Sequence, residues 1–162
     1  MNEDLGNVYK RFWLALNETT APEILCRLAG DEDLDIRAFT AENANTPADT
    51  LHKLAEDGDE RVRCSVAENA NTPAEVLCRL AGDTDWSVRA NIARNRNTPA
   101  EILRRLAKDK NEIIRKAVAL NPKAPAETLR ELTKDEEVYI QEVARKTLNS
   151  RADILPKSDY ER

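Results

Sequence analysis

The chain has 162 residues with 30 acidic and 25 basic side chains, a net charge of −5, 4% aromatic residues and four glycines. One domain's length is implied, glycine is too scarce for a phosphate-cradling loop, and an acidic balance argues against a dedicated nucleic-acid binder. No apolar run reaches the roughly 20 residues of a membrane-spanning helix, no signal peptide is expected, and the single His52 gives no zinc spacing.

The first predicted element is a helix carrying the apolar stripe Leu5, Val8, Phe12 and Leu16. Arg11, Ala15 and Asn17 stand one period before Arg37, Ala41 and Asn43, so residues 10–17 read as the second helix of a unit whose first half is missing. Phe12 and Trp13, where the next unit has Ala38 and Phe39, suit a terminal cap over the exposed core.

From Thr20 one phrase recurs five times with a stride of 26 residues. Leu25, Leu51, Leu77, Leu103 and Leu129 keep the step, as do Asp31, Asp57, Asp83, Asp109 and Asp135, and Ile36, Val62, Val88, Ile114 and Ile140. Such a period marks a solenoid whose units bury their apolar faces against their neighbours. In each unit a first helix is expected after Thr72-Pro73-Ala74-Glu75 or its equivalent, read as a capping box. Ala124 lacks the hydroxyl, so the fifth unit is expected to start more loosely. Leu77, Leu80 and Ala81 face inward, and Gly30 and Gly82 suit a left-handed helix end. A second helix follows from an N-cap such as Asp85, with Val88 and Ile92 inward, and ends at Asn43, Asn69, Asn95 or Asn121, again read as left-handed caps. Near the C-terminus Ser150, Asp153 and Leu155 match the start of a sixth first helix, which Pro156 should stop, leaving 156–162 frayed.

The expected fold is all-α: a right-handed α-solenoid of two-helix repeats over residues 1–162. Its parts are an N-terminal cap and half repeat at 1–19, five repeats at 20–149, and a partial repeat and tail at 150–162. The phrase Asn71-Thr72-Pro73-Ala74-Glu75-Val76-Leu77, then Leu80-Ala81, then Asp83-x-Asp85-x-x-Val88-Arg89 resembles the leucine-rich repeat variant family, a bacterial-type repeat. The resemblance covers about residues 10–155 and implies paired short helices, often one of them 3₁₀-like. The unit here is slightly longer than the family's usual one, which leaves two alternatives open: a 3₁₀-like second helix, or two α-helices. The second half of the unit also looks HEAT-like. An iron–sulfur module, found with some proteins of this kind, needs clustered cysteines outside the array, and residues 1–18 hold none.

The three cysteines form no framework. Cys26 and Cys78 lie two stacking steps, or about 16–20 Å, apart, whereas a disulfide needs Cα atoms within about 7 Å. Free thiols fit a reducing cytoplasm. The arginines at 37, 63, 89 and 115 are read as forks to the repeated aspartates rather than as a phosphate groove, and the asparagines as turn and cap chemistry. His52 and Ser65 make no triad. No cofactor, metal site or catalytic residue is expected.

Function is sought at positions that vary. On the second helix these are the columns Leu34, Glu60, Trp86, Glu112, Val138; Asp35, Arg61, Ser87, Ile113, Tyr139; and Glu42, Glu68, Arg94, Leu120, Lys146. In paired-helix solenoids this helix usually lines the concave side. The candidate partner-binding residues are Trp86, Arg94, Arg96, Ile113, Lys116, Leu120 and Tyr139, residue types that anchor protein interfaces. Residues 1–81 carry a net −8 and residues 82–162 a net +3, with nine basic against three acidic side chains within 89–116. The first reading is therefore a non-enzymatic, cytoplasmic scaffold that binds another protein, itself a monomer or weak oligomer away from membranes. The runner-up is nucleic-acid binding through 89–116. A third class, an enzyme of the HEAT-like DNA glycosylase kind, offers aromatics at Trp86 and Tyr139 but no singled-out acid.

Overall fold

The computed structural model describes residues 7–152; the expectations for Leu5 and for Asp153 onward lie outside them. The described residues form eleven helices and no strand. α1 (Val8–Leu16) is the half repeat. The first helices are α2 (Pro22–Leu28), α4 (Ala48–Leu54), α6 (Ala74–Leu80), α8 (Ala100–Leu106) and α10 (Ala126–Leu132). The second helices are α3 (Leu34–Glu42), α5 (Glu60–Glu68), α7 (Trp86–Arg94), α9 (Glu112–Leu120) and α11 (Val138–Ala152). Both helices of every unit are α-helical, not 3₁₀.

Helices of 7–9 residues would not persist alone in water, so stacking must hold them. Successive second helices lie directly on one another, from α1 on α3 to α9 on α11, while each first helix leans on second helices rather than on the next first helix. The closely spaced second-helix row is thus the inner side of the curve. Leu25, Leu51, Leu77, Leu103 and Leu129 are fully buried, as are Ile36, Val62, Val88, Ile114 and Ile140, which confirms the inward faces read from the period.

The cap chemistry differs from expectation in three ways. The capping box does not form. Each first helix after α2 has proline at its N-cap and no side-chain cap bond. The threonine before the proline is buried and turns inward, donating its hydroxyl to a carbonyl six residues back. Thr72 bonds the Val66 carbonyl at 2.6 Å and Thr98 that of Ile92 at 2.6 Å. Ala124 makes no such bond, yet α10 starts in register with its counterparts, because the start does not depend on that hydroxyl. Second, no glycine or other described residue has a positive φ. The first helices end at Ala29, Ala55, Ala81 and Ala107 in right-handed conformation, so Gly30 and Gly82 need no left-handed turn.

Third, the repeated asparagines end the second helices in extended conformation and bond across units. The Asn95 amide donates to the carbonyls of Ala67 at 2.8 Å and Asn69 at 3.1 Å in the preceding unit, and its oxygen accepts the Asn97 amide at 2.8 Å. Asn43, Asn69 and Asn121 do the same. At the next step Thr147 replaces asparagine and Arg151 replaces proline. No turn forms there. α11 runs on to Ala152 without a break before a sixth first helix, and Arg151 reaches back to the carbonyls of Asn121 at 3.0 Å and Ala124 at 2.6 Å.

The N-terminal cap is partial. Phe12 packs edge-on against Phe39 with ring centroids 4.9 Å apart, but Trp13 stays 61% exposed. The position of Trp13 faces the preceding unit in later repeats, as Ser65 reaching Glu42 illustrates. Among the described residues no helix is long and apolar enough to cross a membrane.

Candidate interaction surface

The repeated arginines are consumed in building the array. Arg63 donates Nε to Asp83 at 2.7 Å and Nη2 to its second oxygen at 3.1 Å, while Nη1 bonds the Asp57 carbonyl of its own loop at 2.8 Å. Arg37–Asp57, Arg89–Asp109 and Arg115–Asp135 repeat the fork, and an Arg11–Asp31 ion pair at 2.8 Å carries the ladder to the half repeat. Burial alone would raise the carboxyl pKa values of Asp57, Asp83 and Asp109. The guanidinium fork and the amide two residues on outweigh it and hold all three below their ordinary value. At Asp135 the fork is the largest influence and acts in the same direction. Gln141, where the sixth arginine would be, keeps only the loop bond, to the Asp135 carbonyl at 2.7 Å.

The varied columns of the inner row behave differently. Arg94, Glu112, Ile113, Lys116, Leu120 and Tyr139 line one groove of about 380 Å³ built from α7, α9 and α11. Leu120 is 57% exposed although apolar. Lys116 holds its ammonium 5.4 Å from the centre of the Tyr139 ring, a cation–π arrangement. Partial burial of Tyr139, with the Glu112 carboxylate beside it, raises the phenol's pKa. Arg94 bonds the Asn91 side chain at 3.0 Å. Five of the seven candidate residues thus converge. Trp86 is not among the groove's lining residues; it stands 47% exposed at the opposite, N-terminal end of α7 from Arg94. Arg96 lies in the turn beyond α7 and is likewise outside the groove.

A second groove of about 340 Å³ lies at the C-terminal ends of α3 and α5, lined by Glu42, Glu68 and the Ala44 and Asn69–Asn71 turns. The sequence reading treated Glu42 and Glu68 only as members of a varied column. Their position one and two units before Arg94 in that column was the available signal.

The basic run of residues 89–116 does not form one patch. Arg89 and Arg115 are locked in the ion-pair ladder. Arg104 and Arg105 sit on the outer helix α8, where Arg104 pairs with Glu101 at 2.6 Å and Arg105 bonds the Cys78 carbonyl at 3.2 Å. Only Arg94 and Lys116 of that run line the inner groove. The cysteines at 26, 64 and 78 are free. Burial raises the pKa of the Cys64 thiol, which lies 3.2 Å from the Ser87 hydroxyl. His52 pairs with Glu75 at 3.0 Å on the outer side. Among the described residues no group of three or more His, Cys, Asp or Glu side chains is placed to hold a metal ion.

Paired short helices, inter-unit ladders and an inner surface of varied side chains define an α-solenoid repeat protein. The chain is similar to the leucine-rich repeat variant family. The family model, leucine rich repeat variant, matches residues 60–85, which is one full period. A solved structure described as a leucine-rich repeat variant with a novel repetitive protein structural motif aligns with TM-score 0.62 and 26% identity. The alignment covers 83% of this chain and 57% of that one, so the chain spans little more than half its length. An engineered protein of known structure aligns with TM-score 0.49 and 18% identity over 92% of this chain and 94% of that one. No curated protein matches the chain.

Proposed function

We propose that the chain is a non-enzymatic interaction module that binds a segment of another protein along the inner, second-helix face, in the cytoplasm, as a monomer or weak oligomer. A single contrast carries this reading. The arginines and asparagines that repeat are spent on inter-unit bonds, whereas the positions that vary gather in an open groove at Arg94, Ile113, Lys116, Leu120 and Tyr139. Exposed aliphatic and aromatic groups beside Arg and Lys suit a protein partner. The basic run at 89–116 is divided between the ladder, the outer helices and the inner face, which suits a phosphate backbone poorly. Trp86 extends the surface towards the other end of α7 and is included as a flanking contact.

The test is affinity capture from the source cells with the wild type and with the Trp86→Ala/Arg94→Glu double variant. Proteins retained by the wild type and lost by the folded double variant are the expected result. Identical retention by both would overturn the inner-face assignment. A parallel titration with labelled DNA and RNA at two salt concentrations separates the nucleic-acid alternative, which predicts affinity falling steeply with salt.

A further inference from the structure

The inner face has an electrical direction. Glu42 and Glu68 stand on α3 and α5, and among the described residues neither pairs with a cation; Glu42 only accepts the Ser65 hydroxyl at 2.9 Å. Arg94 and Lys116 stand on α7 and α9 and form no ion pair among the described residues. The ladder charges on the loop edge, by contrast, are matched fork to carboxylate. Asp35 and Arg61, opposite charges at neighbouring positions of one varied column, offset each other at 3.4 Å. An unneutralised acidic pair is therefore followed in the same column by Arg94, with Lys116 beside it across the groove on α9, and only this basic end carries the apolar side chains Ile113 and Leu120.

We infer that the partner is an extended peptide segment bound in one direction only, with lysine or arginine over Glu42 and Glu68 and an acidic residue beside a leucine-like residue in the Arg94–Leu120 groove. This rests on the inner-face reading above and adds the partner's chemistry to it. Charge complementarity selects the two ends. A peptide carboxylate meets Arg94 and Lys116, its apolar neighbour covers Ile113 and Leu120, and Glu112 on the same wall disfavours a second acid close by. Geometry sets the spacing. The column from Glu42 to Leu120 crosses three helix-to-helix steps, or about 24–30 Å at the usual packing distance. An extended chain covers about 3.3–3.6 Å per residue, so the basic and acidic–apolar ends lie about seven to nine residues apart. The opposite orientation would set like charges against each other at both ends, which is how an interface rejects a wrong register.

The experiment is selection from a displayed library of random fourteen-residue peptides against the immobilised full chain, with the Glu42→Lys/Glu68→Lys variant selected in parallel. Circular dichroism and a melting curve establish that the variant is folded. The expected wild-type consensus has a basic residue and an acidic–apolar pair separated by about seven to nine positions, always in the same order. The variant is expected to lose the basic requirement and keep the acidic–apolar one, with at least a tenfold loss of affinity for a synthetic wild-type consensus peptide. Enrichment with no fixed order or spacing, an unchanged consensus on the variant, or no enrichment at all would overturn the proposal. If cellular proteins are still captured through Trp86 and Arg94 in that event, the inner-face reading survives and only the directional peptide falls.

Discussion

The loop edge and the inner face of this solenoid are built from the same kinds of charged side chain, used in opposite ways. On the loop edge, Arg63 spans two units by gripping Asp83 in the next and the Asp57 carbonyl in its own. On the inner face, Arg94 meets only its neighbour Asn91. An arginine that recurs every 26 positions meets a recurring aspartate of the next unit, as Arg63 meets Asp83, so its charge is spent inside the array. Arg94, at a position that varies, meets no recurring carboxylate, and its charge is left on the open face. Repetition in such a chain marks structure, and departure from it marks the surface open to recognition.

The strongest way to break the comparison is at the core both regions share. Leu77→Ala should cost about 2–5 kcal/mol, the range for a buried leucine with its cavity, and urea denaturation of the purified variant measures it. A midpoint equal to wild type would mean that the inward face is misassigned. Next comes the asparagine ladder. Asn95→Ala leaves the carbonyls of Ala67 and Asn69 without their side-chain donor and should cost about 1–3 kcal/mol. Asn97→Ala, which lies on the exposed side of the same turn, should cost less.

The ion-pair ladder sharpens the comparison through pH. The carboxyls of Asp57, Asp83, Asp109 and Asp135 have pKa values below their ordinary ones when folded. Their stabilisation is therefore complete above the unfolded value of about 3.9, and it is lost as pH falls through the lower folded values. The urea midpoint should stay level from neutral pH to about 5 and fall below about 4. Asp83→Asn should lower the plateau and soften the acid slope. A midpoint that rises on acidification below 4 would contradict the forks as the source.

Smaller still, Thr72→Ala should cost about 1 kcal/mol, the worth of one intramolecular hydrogen bond. Ala124→Thr should gain no more than that, because the same bond is absent from the native fifth unit. The inner face should give the least. Trp86→Ala should change stability by no more than about 0.5 kcal/mol, as surface substitutions do, while reducing partner capture. A large loss of stability would make Trp86 a structural residue and remove it from the interaction surface.

The chain's period and local chemistry by themselves determined the order of the paired helices through the five units, the inward leucines and β-branched residues, aspartate N-caps of the second helices such as Asp85, and the use of arginines as forks. Each follows from spacing within one unit or from the chemical match of two repeated residues. The tertiary structure decided what crosses between units. Thr72 looked like a cap because the residues after it suited a helix start, yet its hydroxyl turns back to Val66 in the preceding helix. Asn95 looked like a turn residue, yet its amide reaches carbonyls 26 and 28 residues away. The surface divided in the same way. Arg94, Ile113, Leu120 and Tyr139 were legible as varied positions and Lys116 as part of the basic run, but only packing shows that they share a groove, that Trp86 and Arg96 lie outside it, and that Glu42 and Glu68 line a second one. Hydrophobic periodicity records which way a side chain faces its own helix axis. Which side chains of separate helices meet depends on the rotation and stacking of whole units, and that is settled only when they pack.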